Sequence, residues 1–168
     1  MNNIILIGFM GSGKSTMGRY MEEYHEYKLI DTDEYIERWQ SDSISNIFST
    51  KGEAYFRELE TECIKKLIDS KTENTVISVG GGLPIKSDNQ KLLKELGKVV
   101  YLRAGVDTLV NRLMDDDKRP LLQGGDLRNK ITELMAKRES IYETLADVII
   151  DTDGCTTEQI FKSIEEKK

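Results

Sequence analysis

Short apolar runs alternate with amphipathic segments along the whole chain of 168 residues. The apolar runs are typical of buried β-strands and lie at residues 4–7, 28–30, 76–79, 99–102 and 148–150. The amphipathic segments predict helices, the clearest of them at residues 14–25, 53–70, 107–114 and 126–146. This alternation predicts an α/β fold of three layers (α/β/α), in which helices cover both faces of a five-stranded parallel sheet. No repeat, low-complexity tract or linker divides the sequence, so we expect residues 1–168 to form a single domain.

The loop after the first apolar run carries the strongest chemical signal in the sequence. Residues 8–15 read Gly-Phe-Met-Gly-Ser-Gly-Lys-Ser and match the phosphate-binding P-loop, G-x-x-x-x-G-K-[ST]. Glycines allow backbone conformations that a Cβ would forbid, so that N–H groups surround a phosphate at the N-terminus of the following helix. We expect Lys14 to reach the β- and γ-phosphates and the Ser15 hydroxyl to ligate Mg²⁺. The chain is therefore predicted to bind a nucleoside triphosphate.

The net charge and the two cysteines limit which binding partners and which cellular compartment are expected. A net charge of −6 provides no basic field for nucleic acid or an anionic membrane, so local arginines have to hold any anionic substrate. Cys63 and Cys155 are isolated, which argues against a disulfide framework or a zinc site and fits a reducing compartment. The first apolar run has only four residues, too few for a signal peptide or a membrane span. We expect a cytoplasmic protein with neither nucleic-acid nor membrane partners.

Polar or glycine-rich clusters follow two of the predicted strands directly. Strand 28–30 leads into Asp31-Thr32-Asp33 and a helix that begins near Glu34. Asp31 would help to hold Mg²⁺ through water, while Asp33 would orient an acceptor hydroxyl and accept its proton. The alternative is that one of these carboxylates merely caps the helix. Strand 76–79 leads into three glycines, 80–82, which would let a ligand lie against bare backbone or would simply form a flexible turn.

Two arginines occupy unusual positions on predicted helices. Arg138 falls within the apolar stripe of helix 126–146, so its charge must either reach solvent or find an anionic partner, and we favour a partner. The stripe comprises Leu127, Ile131, Leu134, Met135, Ile141, Tyr142 and Leu145. Arg57 has Glu53 and Glu60 within one helical turn, which predicts an exposed ion pair. Because Glu60 shares its face with apolar residues, it would instead help to fix Arg57 in place. Together the two guanidinium groups suit one substrate carboxylate.

The polar segment 114–125 lies between two predicted helices, and its last residues are glycines. We expect it to form a mobile lid, in which Arg119 closes over the phosphates and stabilises the charge of phosphoryl transfer. Closure would also exclude water, which competes as an acceptor. The alternative is a solvated surface loop, which is the interpretation that we favour for the aspartates at 115–117.

In their order along the chain, these motifs resemble the shikimate kinase family, small P-loop kinases with the nucleoside-monophosphate-kinase fold. The shared pieces are G-F-M-G-S-G-K-S-T-M-G-R at 8–19, D-T-D at 31–33, I-F at 47–48, G-E-x-x-F-R-x-x-E at 52–60, G-G-G at 80–82, R-P-L-L at 119–122 and K-R-E-x-x-Y at 137–142. The resemblance spans residues 4–160. It departs from the family at Met10, where proline is common, and at the turn formed by Ser41 and Asp42.

The resemblance implies a role for each matching residue. ATP phosphates are bound by Gly11, Ser12, Gly13, Lys14, Ser15 and Thr16, and shikimate by Asp33, Arg57, Gly80, Gly81, Gly82 and Arg138. Ser15 and Asp31 serve Mg²⁺, Arg119 contacts the ATP phosphates, and Arg112 packs on the adenine. Asp33, Lys14 and Arg119 are the implied catalytic residues. The implied reaction is ATP-dependent phosphorylation of the 3-hydroxyl of shikimate, giving shikimate 3-phosphate and ADP on the route to aromatic amino acids. We expect a monomer.

Two other functions are compatible with parts of this pattern. A kinase of the same fold could act on another small acceptor, such as gluconate or a nucleoside monophosphate, because an acid sugar also offers a carboxylate to Arg57 and Arg138. A nucleotide-dependent binding module or switch would keep Lys14 and Ser15 but would not need Asp33 or Arg138.

Overall fold

Strands and helices alternate along the chain in a computed structural model that describes residues 2–116 and 119–167. The strands are β1 (Ile4–Ile7), β2 (Lys28–Asp31), β3 (Thr75–Ser78), β4 (Lys98–Arg103) and β5 (Val148–Asp151). The helices are α1 (Lys14–Tyr24), α2 (Thr32–Gln40), α3 (Ile44–Lys51), α4 (Glu53–Asp69), α5 (Ser87–Leu96), α6 (Val106–Leu113), α7 (Leu127–Leu145) and α8 (Thr157–Glu166). Short 3₁₀ helices lie at Leu83–Ile85 and Pro120–Leu122.

The strands form one parallel sheet in the order β2-β3-β1-β4-β5. Strand β1 lies at the centre, and its Ile4 pairs with Val76 of β3 and with Lys98 of β4. The loop after β1 is therefore flanked by the loops that follow β3 and β4. Ligands in such sheets bind at the carboxyl ends of the strands, so this topology places the P-loop at the middle of the binding edge.

Helices cover both faces of the sheet because successive strand residues point to opposite sides. On one face, Ile5 and Ile7 of β1 pack with apolar residues of α4, α5 and α7, among them Leu59, Leu93 and Ile131. On the other, Ile4 and Leu6 pack with Met17 and Met21 of α1 and Ile164 of α8. The prediction of a five-stranded parallel sheet between two helical layers is confirmed.

The predicted strands and helices match the observed ones to within one residue at each end. Helix α2 begins two residues before Glu34, at Thr32, because Asp31 caps it. The apolar pattern did not single out α3, α5 or α8. In α3, for example, only one of the eight residues, Ile47, is buried, so the sequence has little apolar periodicity to detect.

The predicted lid at 114–125 is described only in part, because residues 117 and 118 lie outside the described residues. Within the lid, Pro120–Leu122 form a 3₁₀ helix whose Leu122 is buried in the core. Cys63 is a buried free thiol and Cys155 an exposed one. None of the helices in residues 2–116 and 119–167 is long and apolar enough to cross a membrane.

Candidate functional site

The P-loop has the backbone geometry of an anion-binding loop. Gly8, Gly11 and Gly13 have φ angles of 148°, 78° and 99°, a region that side chains other than glycine rarely adopt. Gly13 directly precedes α1. The first N–H groups of a helix have no partner within it, and they therefore attract an anion together with the helix dipole.

The Lys14 ammonium lies inside this loop. Its side chain is buried, and Nζ donates hydrogen bonds to the carbonyl oxygens of Gly8 at 2.8 Å and Phe9 at 2.9 Å. Burial lowers the pKa of Lys14 to about 8, and the opposite charge of Asp33 limits the decrease. The positive charge that was predicted for phosphate binding is thus held by the loop itself.

Ser15 and Asp31 lie side by side at the edge of the loop. Ser15 Oγ donates to Asp31 Oδ2 at 2.8 Å, while Asp31 Oδ1 accepts from the backbone N–H groups of Asp33 at 3.0 Å and Glu34 at 3.3 Å. Asp31 therefore caps α2 with one oxygen and meets Ser15 with the other. Such oxygen donors suit Mg²⁺, which is usually held by one or two carboxylates together with water and substrate phosphates. The part of the chain that the structure describes contains no group of three or more His, Cys, Asp or Glu side chains that could hold a metal ion. A bound Mg²⁺ would therefore also need water and substrate phosphates as ligands.

The Asp33 carboxylate lies between the P-loop and the Gly80–82 segment. Burial and the neighbouring Asp31 charge raise the pKa of Asp33 to about 6, and the positive charges of Arg119 and Lys14 oppose this rise. Arg119 Nη1 lies 3.8 Å from Asp33 Oδ2. A carboxylate with this pKa is ionised at neutral pH and is able to accept a proton from an acceptor hydroxyl.

The glycines at 80–82 bring the predicted acceptor-binding residues together. A Cβ on Gly80 would lie 2.8 Å from Asp33 Oδ1, one on Gly81 would lie 3.4 Å from Arg138 Nη1, and one on Gly82 would lie 2.4 Å from Arg57 Nη2. None of the three has a positive φ angle. Glycine is needed here for space, because a Cβ would displace the functional groups beside it.

Arg57 is held by the acidic side chains that its sequence spacing predicted. Its Nη1 donates to Glu60 Oε2 at 2.7 Å, and its Nη2 donates to Glu53 Oε1 at 3.2 Å. The Glu60 side chain is only 1% exposed, and burial raises its pKa to about 7 although Arg57 opposes the shift. Arg57 thus forms the predicted helix ion pairs, but the pair with Glu60 is buried and not exposed, and the guanidinium group lies beside Gly82.

Arg138 is buried, with only 5% of its surface exposed. Its guanidinium carbon lies 5.8 Å from the centre of the Phe9 ring. Among the described residues, Arg138 Nη1 has no hydrogen-bond partner. A buried charged donor without a partner is costly, so this atom is suited to an anionic ligand.

Two further arginines that were predicted from the sequence contact different parts of the site. Arg112, at the end of α6, donates from Nη1 to the carbonyl of Gly11 at 2.8 Å. Arg119, next to the residues that are not described, donates from Nε to Asp116 at 3.3 Å and faces Asp33. Arg112 thus contacts the P-loop directly, while Arg119 lies beside the Asp33 carboxylate.

Tyr142 belongs to the site, although the sequence assigned it no role beyond the apolar stripe of α7 and the K-R-E-x-x-Y motif. Its hydroxyl donates a hydrogen bond to the carbonyl of Gly81. Two signals in the sequence could have pointed to it: the motif itself and the spacing of four residues from Arg138, which puts both side chains on one face of the helix.

The chain is similar in sequence to known shikimate kinases. The sequence model of the family described as "Shikimate kinase" matches residues 10–167. The shikimate kinase of Persephonella marina is 43% identical over 164 residues, which cover 98% of this chain and 97% of that protein. The shikimate kinase of Caldicellulosiruptor bescii is 44% identical over 158 residues, covering 94% and 90% respectively.

Solved structures give the same result. A structure of Acinetobacter baumannii shikimate kinase in complex with shikimate aligns with a TM-score of 0.92 and 33% identity, covering 99% of this chain and 92% of that one. A sugar kinase from Janibacter aligns with a TM-score of 0.64 but only 14% identity, so it shares the fold alone.

Proposed function

The chain belongs to the shikimate kinase family, and we propose that it transfers the γ-phosphoryl group of ATP to the 3-hydroxyl of shikimate, giving shikimate 3-phosphate and ADP. Phosphorylation of shikimate by ATP is the activity of this family, and it is a step toward the aromatic amino acids. One observation supports the roles that we propose for individual residues. The Gly80–82 segment brings Asp33, Arg57 and Arg138 into contact with a single stretch of bare backbone beside the P-loop.

The carboxylate of shikimate binds between Arg57 and Arg138. Arg138 offers a buried Nη1 without a partner among residues 2–116 and 119–167, and the Arg57 guanidinium is already oriented by Glu60. Charged forks of this kind bind carboxylates through strong, directional hydrogen bonds. The glycines at 80–82 leave room for the ring of the substrate.

Asp33 receives the proton of the acceptor hydroxyl. As the hydroxyl oxygen attacks the γ-phosphorus, its proton passes to Asp33 and the bond from phosphorus to the ADP oxygen breaks. No covalent enzyme intermediate is needed, since most of the rate enhancement comes from alignment and charge stabilisation. The pKa of about 6 keeps Asp33 ionised, and hence basic, at neutral pH.

The donor end binds ATP through the P-loop. The backbone of residues 11–16 surrounds the phosphates, Lys14 and Arg119 offset their negative charge, and Arg112 packs on the adenine. Mg²⁺ would be held by Ser15 and, through water, by Asp31, where it supplies charge neutralisation and alignment of the phosphates. The hard oxygen donors of this pair, 2.8 Å apart, fit that ion.

The test of the function is ADP release by the purified protein with ATP and Mg²⁺, measured with and without shikimate. We expect release to depend on shikimate. Gluconate and a nucleoside monophosphate, offered in the same assay, distinguish a kinase of the same fold for another acceptor. Binding of ATP without turnover on any of these acceptors would instead support a nucleotide-dependent switch.

The Arg57→Ala variant tests the acceptor side of the site. Loss of a charged hydrogen-bond partner should raise the KM for shikimate on the order of 100-fold, with the KM for ATP nearly unchanged. Arg38→Ala is the matched control, because Arg38 forms a similar helix ion pair with Glu34 but its side chain is 79% exposed. Equal increases in both KM values for Arg57→Ala would contradict the assignment.

We also propose that residues 1–168 act as one domain with a mobile lid at 114–125, and that the protein is a cytoplasmic monomer. Both substrate subsites are built from the same chain, which supports a monomer, and the net charge of −6 favours neither nucleic acid nor an anionic membrane as a partner. Light scattering coupled to size-exclusion chromatography measures the oligomeric state directly.

A further inference from the structure

Tyr142 makes a long-range hydrogen bond that the proposed chemistry does not use. Its side chain is fully buried, and its ring packs against Tyr101 of β4 with the ring centres 5.2 Å apart. Its hydroxyl donates to the carbonyl of Gly81, which lies 61 positions earlier in the chain. Burial raises the pKa of Tyr142 to about 12, although the charge of Arg138 and a hydrogen bond with its side chain oppose the rise, so the phenol stays protonated and can donate at neutral pH.

The three glycines of the Gly80–82 segment are held in different ways. The carbonyl of Gly80 accepts from the backbone of Leu83 at 3.1 Å, and that of Gly82 accepts from Ile85 at 3.2 Å. These two carbonyl bonds belong to local turns, although the Gly80 N–H also donates to the Thr32 side chain at 3.0 Å. The carbonyl of Gly81 instead accepts a hydrogen bond from the Tyr142 side chain. A helix that is distant in sequence, α7, therefore holds the backbone of Gly81 in position.

Gly81 lies where the donor and acceptor subsites meet. A Cβ on it would come within 3.3 Å of the backbone nitrogen of Met10 and 3.4 Å of the carbonyl oxygen of Gly8, both in the P-loop. The same Cβ would lie 3.4 Å from Arg138 Nη1. Any shift of Gly81 therefore changes its spacing to the P-loop or to the buried arginine.

We propose that Tyr142 is a positioning residue for the acceptor: its hydroxyl holds Gly81 against the P-loop and thereby sets where Arg138 and the Gly80–82 segment meet shikimate. This inference rests on the proposed function, because it assumes that shikimate binds against that segment. Tyr142 and Arg138 lie one turn apart on α7. Helix α7 thus provides both the Arg138 charge that binds the substrate and the Tyr142 hydrogen bond that holds the backbone of Gly81.

Tyr101 provides a matched control within the same ring pair. It is fully buried like Tyr142, but its hydroxyl has no hydrogen-bond partner in the portion of the chain that is described. The variants Tyr142→Phe and Tyr101→Phe remove the same atom from neighbouring buried rings. Only Tyr142→Phe breaks the bond to Gly81.

The experiment measures both KM values, kcat and the thermal unfolding midpoint for the wild-type protein and the two variants. For Tyr142→Phe we expect a rise in the shikimate KM of about fivefold, which corresponds to the loss of one neutral hydrogen bond. The KM for ATP should stay within about twofold of wild type, because the bond from Tyr142 ends on the acceptor-side segment. Tyr101→Phe should leave both KM values unchanged.

Three results would overturn the inference. The shikimate KM of Tyr142→Phe could match that of Tyr101→Phe, or the variant could raise both KM values equally, which would indicate a general loss of structure. If Tyr142→Phe does not fold, Gly81→Ala perturbs the same backbone position without changing Tyr142. An unchanged shikimate KM in Gly81→Ala would then contradict the inference. A wild-type protein without shikimate-dependent turnover would instead overturn the proposed function itself.

Discussion

Replacing Arg138 by methionine should stabilise the unliganded protein and strongly weaken shikimate binding. Arg138 lies in the apolar stripe of α7, is 5% exposed, and its Nη1 has no partner among the described residues. Methionine has a similar length and no charge, and it fills irregular apolar space well. The substitution therefore removes a buried charge that the protein keeps for its ligand.

The size of the effect follows from the cost of a buried donor without a partner. That cost is about 1–3 kcal/mol, so the free energy of unfolding should rise by a similar amount. For a chain of 168 residues each kcal/mol shifts the thermal midpoint by about 2–4 °C. Loss of the charged contact should weaken shikimate binding by about 2–5 kcal/mol, which is at least about 30-fold.

Thermal unfolding with and without shikimate measures both effects in one assay. A ligand at 100 times its Kd adds about 2.7 kcal/mol to the stability of the wild-type protein, whereas a Kd weakened at least about 30-fold leaves Arg138→Met with at most about 0.9 kcal/mol at that concentration. Arg128→Met is the control, because Arg128 lies on the same helix but its side chain is 54% exposed and pairs with Asp107. It should change stability by less than about 0.5 kcal/mol and keep the shift with shikimate.

A lower thermal midpoint for Arg138→Met than for the wild-type protein, both without shikimate, would contradict the expected stabilisation. Such a result would mean that contacts within the unliganded protein already compensate the charge of Arg138. A normal shift of the variant on addition of shikimate would separately refute the placement of the substrate carboxylate.

Two further predictions concern the proton and the metal. Because the raised pKa of Asp33 means that the carboxyl is protonated below about pH 6, kcat/KM for shikimate should fall as the pH drops through that value. Asp33→Asn should lower kcat by about 10²- to 10⁴-fold and remove this dependence, and an unchanged pH profile would exclude Asp33 as the base. Chelation of Mg²⁺ should stop turnover, and Ser15→Ala should raise the Mg²⁺ concentration needed for half-maximal rate. Ser15→Thr keeps the hydroxyl and should restore the wild-type requirement, while a normal requirement in Ser15→Ala would contradict the proposed metal ligand.

The sequence alone was enough to predict the architecture and to single out the residues on which the proposed chemistry rests. Apolar runs such as Ile4–Ile7 identified the strands, because burial on both sheet faces requires continuous hydrophobic residues. The P-loop was identified because its function depends on consecutive residues, whose conformations Gly11 and Gly13 make possible. Arg138 was singled out because a charge within an apolar stripe conflicts with the periodicity around it.

How these residues contact one another became clear from the three-dimensional structure. It showed that Asp31 caps α2 and also accepts a hydrogen bond from Ser15. It showed as well that Arg119 faces Asp33. It also revealed the hydrogen bond from Tyr142 to Gly81. The physical reason is that periodicity describes neighbours along the chain, whereas a side-chain hydrogen bond depends on how α7 packs beside the sheet. In the sequence Tyr142 belongs to the apolar stripe and to the K-R-E-x-x-Y motif, but its hydroxyl acquires a partner only when packing brings Gly81 to it.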